Sequence, residues 1–90
     1  MRKPRKLTAE EEEFISTLVS SLPPVIARKE VNRYLGGMVA SQTLSNADCA
    51  GMGPEVAYRV GRTIAYRTES LVRWVVDRFG VVKVAGLKSL

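Results

Sequence analysis

The chain has 90 residues, with 14 Lys and Arg against 9 Asp and Glu, a formal net charge of +5 and a pI near 9.8. That length suits one small domain with a modest core, the apolar fraction argues against wholesale disorder, and the basic balance favours an acidic partner, nucleic acid or an anionic membrane. With no histidine and a single cysteine, Cys49, the chain excludes an intrachain disulfide and a four-ligand Cys/His zinc site, and it fits a reduced, cytoplasmic setting.

Residues 1–7 read as a basic arm carrying Arg2, Lys3, Arg5 and Lys6. The following FISTLVSSL is short, broken by hydroxyls and preceded by Glu10 to Glu13, which predicts neither a signal peptide nor a membrane span. Thr8 and Glu11 have capping-box spacing and predict a helix from there to about Ser21. Phe14, Ile15, Leu18, Val19 and Leu22 form its apolar stripe, which either packs on the main domain or makes a dimer contact. The four glutamates suit the positive end of the helix dipole and read as a solvated face. Pro23-Pro24 reads as a stiff linker.

A second helix is expected over about 28–35, with Val31, Tyr34 and Leu35 inward and Gly36-Gly37 ending it. A third spans about 41–49. Two short helices joined by a glycine turn have the helix-turn-helix pattern. VAYRVGRTIAY, residues 56–66, has the β-branched and aromatic content of a hairpin around Gly61. A three-residue loop would pair Val60 with Ile64 and Tyr58 with Tyr66, gathering four apolar side chains on one face. That register is therefore preferred over a two-residue turn, and it leaves Arg59 and Arg67 pointing away from the core. A last helix is expected from an N-cap at Thr68 to Gly80, with Leu71, Trp74, Val75 and Phe79 on one face. Glu69, Arg73 and Asp77 are spaced for i,i+4 pairs. The tail VVKVAGLKSL reads as an extra strand or as disordered.

The order ARKEVNRYLGG, SQTLSNADCAGMGP and YRVGRTIAYRTESLVRW resembles the MerR-type winged helix-turn-helix family of excisionase and AlpA-like proteins, over about Pro24 to Arg78. The resemblance implies an α+β, mostly helical winged helix-turn-helix with a β-hairpin wing, here with an extra N-terminal helix. It divides the chain into the arm and amphipathic helix (1–23), the DNA-binding domain (24–80) and a tail (81–90). It implies sequence-preferring binding of double-stranded DNA, in recombination directionality or transcriptional regulation of a phage or mobile element; related domains occur in phage packaging complexes. The chain differs from many members in having Ala40 before the third helix, where Ser41 is expected to take over as cap. It also has Ser45-Asn46-Ala47-Asp48 where a basic or large aromatic residue is common, and Gly37-Met38 lengthening the turn.

On the third helix, each residue advances about 100°, so Leu44 and Ala47 face inward with Ala40 nearby, and Gln42, Ser45, Asn46 and Cys49 face outward. Gln and Asn can make paired hydrogen bonds to adenine, and the hydroxyls of Ser41, Thr43 and Ser45 suit base edges or phosphates. Arg59, Arg62 and Arg67 on the hairpin, with Arg28, Lys29 and Arg33 at the start of the second helix, are the candidate phosphate contacts. Residues 27–79 hold eight basic and five acidic residues, a modest excess. Asp48 would be repelled by phosphates, and either caps the helix end or pairs with an arginine. A single domain of this size has a small footprint, so a homodimer or a cooperative array on DNA is expected. Neither a cofactor, a small-molecule substrate nor an enzyme is expected, because Cys49 has no histidine partner and the carboxylates do not converge. A protein-interaction module on the same scaffold is the competing reading.

Overall fold

A computed structural model describes residues 6–84. The elements are α1 (Ala9–Ser21), β1 (Val25–Ala27), a 3-10 turn (Arg28–Glu30) running into the single turn α2 (Val31–Tyr34), α3 (Ser41–Cys49), β2 (Ala57–Val60), β3 (Thr63–Arg67) and α4 (Thr68–Phe79). The fold is α+β: four α-helices and an antiparallel sheet of order β1-β3-β2. Arg2, Lys3 and Arg5 of the basic arm lie outside the described residues, as do residues 85–90; residues 81–84 form no strand.

The start of α1 is the predicted capping box. Thr8 Oγ1 accepts from the Glu11 amide, and Glu11 Oε1 accepts from the Thr8 amide, each at 3.1 Å. Glu11 is buried by this role, so it is not part of the solvated acidic face expected of all four glutamates. The stripe packs α1 along α4, with Leu18 and Leu22 against the core, which is the first of the two fates expected for it.

The Pro23-Pro24 stretch is no free linker. The Thr68 amide donates to Pro24 O at 2.9 Å, and the Thr68 hydroxyl donates to Pro23 O. Thr68 is therefore a buried residue in the first turn of α4, not its N-cap; Arg67 holds that position without a side-chain cap. The same docking extends the chain into β1, which pairs with β3 as Ile26↔Tyr66 and which the sequence pattern does not announce. The expected helix over 28–35 is correspondingly shorter and begins as a 3-10 turn. Tyr34, expected inward, is exposed beneath the Arg33 guanidinium, 4.6 Å from the ring centroid, because Val31 and Leu35 already fill the inward face.

Helices α2 and α3 end alike. Gly37 N donates to Asn32 O at 2.7 Å and Gly36 N to Arg33 O at 3.2 Å; Met52 N donates to Ala47 O at 2.8 Å and Gly51 N to Asp48 O at 3.0 Å. Each is the Schellman pair of bonds, with a left-handed glycine at Gly36 (φ 62°) and Gly51 (φ 74°). Asn32 Nδ2 also donates to Val39 O at 3.1 Å, fastening the turn between the two helices. Ala40, expected near the core, is exposed; Val39 is the residue that enters it.

The hairpin turn has two residues, Gly61-Arg62, and the register is Val60↔Thr63, Arg59↔Ile64, Tyr58↔Ala65, Ala57↔Tyr66. This overturns the three-residue loop. That expectation assumed that β2 has a buried face, but β2 is an edge strand exposed throughout. Turn chemistry then decides: Gly61 takes φ 64° at the first central position, as a two-residue hairpin turn with a leading glycine requires. Arg59 consequently lies on the face of Ile64 and Tyr66, and Arg67 on the opposite one, so the two do not share an outward face.

The core joins Ile26, Val31, Leu35, Val39, Leu44, Ala47, Tyr66, Leu71, Trp74 and Val75. Trp74 is buried and its indole N–H donates to Met52 O at 2.7 Å, holding the α3–β2 connection against α4. Phe79, expected on the core face, is 57% exposed and meets Trp74 edge to face, because the helix ends at Gly80 before the core reaches it. Arg73 and Asp77 form their expected i,i+4 pair at 3.3 Å. Trp74→Ala is expected to cost about 3–5 kcal/mol, measured by chemical denaturation, a large fraction of the stability of a domain this small.

Candidate nucleic-acid interface

Helix α3 is amphipathic as its spacing predicts. Leu44 and Ala47 are buried, while Gln42, Asn46 and Cys49 are exposed and Ser45 is half-exposed. Gln42 Nε2 donates to Asn46 Oδ1 at 2.9 Å, so the two amides one turn apart form a single unit on the outer face. Ser41 does not cap the helix. Ala40 is the N-cap, without a side-chain bond, and Ser41 Oγ donates to Arg28 O at 3.0 Å. This bond fastens the start of α3 to the 3-10 turn. Thr43 is half-buried beside it.

Asp48 does not face the outer side of α3. Its Oδ2 accepts from Arg28 Nη2 at 2.5 Å and from the Tyr66 hydroxyl, and Arg28 Nε donates to Tyr66 Oη at 2.9 Å. Three elements meet in this closed triad: the 3-10 turn, α3 and the central strand β3. Burial of the phenol, reinforced by the hydrogen bond it donates to the carboxylate, pushes Tyr66 up to about 12. The bond to Tyr66, with that to Asp48, raises Arg28 above its ordinary value and keeps it charged. A Cβ on Gly53 would overlap the Asp48 carboxylate, so that position admits only glycine without rearrangement. Of the two roles open to Asp48, pairing with an arginine is the one it takes. By its pattern Tyr66 reads as one more apolar strand residue, and nothing in its spacing points to Asp48.

The predicted cations separate into two groups. Arg28 is bound in the triad and Arg33 pairs with Glu30 at 2.7 Å. Lys29, Arg59, Arg62 and Arg67 are exposed and make no ion pair among the described residues. Lys29 belongs to the turn fastened to the start of α3, and Arg62 is at the hairpin tip. Arg67 stands apart: it is five residues from the tip, about 16 Å along an extended strand, beside Val19, Pro24 and Glu69 where α1 meets α4.

Among the described residues, no group of three or more His, Cys, Asp or Glu side chains is placed to hold a metal ion, and no helix is long and apolar enough to cross a membrane. No family model matches the chain, and neither a curated protein nor a solved structure matches it.

The triad makes an alkaline signature. The folded chain holds the Tyr66 proton more tightly than the unfolded one, so this group's contribution to stability is complete below the ordinary tyrosine value of about 10 and is lost as pH rises toward the folded value. Ultraviolet titration is expected to show one of the three tyrosines ionising only near pH 12, and Tyr66→Phe is expected to remove that late step.

Proposed function

We propose that this chain is a winged helix-turn-helix protein that binds double-stranded DNA with sequence preference, α3 being the recognition helix and the β2–β3 hairpin the wing. The observation that carries the reading is the outer face of α3, where Gln42 and Asn46 are exposed and hydrogen-bonded to each other while the one carboxylate of the helix is withdrawn into the triad. With Gln42 Nε2 and Asn46 Oδ1 engaged, Gln42 Oε1 is left as an acceptor and Asn46 Nδ2 as a donor. That pair complements the N6 donor and N7 acceptor of adenine in the major groove. Neutralising Asp48 removes the repulsion a free carboxylate would exert on phosphates.

Lys29, on the 3-10 turn fastened to the start of α3, and Arg62, at the hairpin tip, are both exposed and supply sequence-independent phosphate contacts. Arg28 acts indirectly, as the residue that holds Asp48. The resemblance to excisionase and AlpA-like proteins supports a role in recombination directionality or transcriptional control, and the single cysteine supports a cytoplasmic setting.

Selection of bound duplexes from a random pool at near-physiological salt tests the reading, and recovery of a motif is the expected result. Gln42→Ala and Asn46→Ala are each expected to cost about 1–3 kcal/mol on the selected site and little on random duplex. Equal binding of both duplexes by these variants and the parent would make the outer face merely solvated and favour a protein-interaction module. Lys29→Ala and Arg62→Ala are each expected to weaken all duplexes alike and to flatten the slope of log affinity against log salt by about one unit. Arg67→Ala, beside Val19, Pro24 and Glu69 where α1 meets α4, is expected to leave the slope unchanged in the same anisotropy titrations.

A further inference from the structure

Among the described residues the sheet ends at β2, whose outer edge has no strand beside it. Edges of this kind are usually blunted by proline, a bulge or several charges. Residues Ala57–Val60 contain none of these except Arg59, and Tyr58 and Val60 are 45% and 64% exposed.

The hydrogen-bond parity of this edge is determined. Val56 O accepts from Arg67 N, which extends the β2–β3 register by one residue. Antiparallel partners alternate between bonded and non-bonded pairs, so Val56, Tyr58 and Val60 turn their backbone groups toward β3. Ala57 and Arg59 therefore turn theirs outward. An antiparallel strand seated on this edge bonds to those two residues.

We propose that the outer edge of β2 pairs with the same edge of a second copy of this chain, antiparallel, about a two-fold axis at Tyr58. In that register Ala57 of each copy exchanges both backbone bonds with Arg59 of the other. Tyr58 then faces its symmetry mate across a non-bonded pair, and Val56 faces Val60, so one face of the junction is an unbroken apolar row. On the other face Glu55 and Arg59 of opposite copies become diagonal neighbours, within reach of long side chains. Both are exposed, and neither has an ion-pair partner in its own chain among the described residues. An axis at Arg59 would oppose two guanidinium groups directly, which disfavours it, and one at Ala57 would set Val60 against Pro54 in place of Val56. The pairing needs no DNA and does not rest on the DNA-binding reading.

The test is disulfide capture in DNA-free buffer, with Cys49→Ser removing the chain's one native thiol. Tyr58→Cys places two thiols across a non-bonded pair whose Cα atoms are about 4.5 Å apart, within disulfide range. Arg62→Cys places them more than about 20 Å apart in the same dimer. Under mild oxidation the Tyr58→Cys chain is expected to form linked dimer at least roughly tenfold faster than the Arg62→Cys chain, because pairing raises the local thiol concentration. Arg59→Glu added to Tyr58→Cys is expected to slow linkage, and further addition of Glu55→Arg to restore it. Circular dichroism of each reduced variant confirms that it is folded. Equal linkage rates at positions 58 and 62, or rates indifferent to the charge reversals in folded chains, would overturn the proposal.

Discussion

The Asp48 carboxylate is held by Arg28 and Tyr66 at once, and the arrangement of the other elements follows from that contact. A half-buried carboxylate is stable only when its lone pairs are satisfied by good donors. Here the donors come from the turn before α2 and from the middle strand of the sheet. The orientation of α3 is thereby fixed relative to both. The same contact removes a negative charge from the helix that presents the amides. One interaction therefore positions the exposed face and sets its electrostatic character.

Backbone chemistry supplies the rest of the placement. The paired Schellman endings at Gly36 and Gly51 stop two short helices within a turn of their last apolar residue and satisfy carbonyls that would otherwise be unpaired. The bonds from Thr68 to Pro23 and Pro24 do the corresponding work at the other end of the fold, holding β1 beside β3 and carrying the strand into α4. Helix α1 then covers α4 through Leu18 and Leu22, so the N-terminal helix shares the core with the remainder.

Much of this was legible from local pattern. The capping box at Thr8 and Glu11, the bounds of α3, its inward Leu44 and Ala47, and the glycine stop after Phe79 all rest on contacts within a few residues of each other. The candidate face of α3 was legible for the same reason, since a helix of known bounds has a known outer side. The hairpin register was misread because the argument from a buried face presumes knowledge of what covers the strand. Among the described residues nothing covers β2, and Gly61 sets the turn instead. Strand β1 was missed because three residues after two prolines carry no period, and pairing with a strand forty residues away is what extends them.

The sequence by itself determined the bounds of α1 and α3, the glycine end of α4, which side of α3 is polar, and the excess of positive charge, because each follows from side chains acting on their own backbone or from simple summation. Only the tertiary structure decided that Asp48 and Arg28 neutralise each other, that Arg59 and Arg67 lie on opposite faces of the sheet, and that Lys29, Arg59, Arg62 and Arg67 carry charge without an ion-pair partner among the described residues. Those outcomes depend on which groups are brought within a few ångströms from distant parts of the chain. Coulombic and hydrogen-bond energies fall steeply with that distance, and no local pattern encodes it.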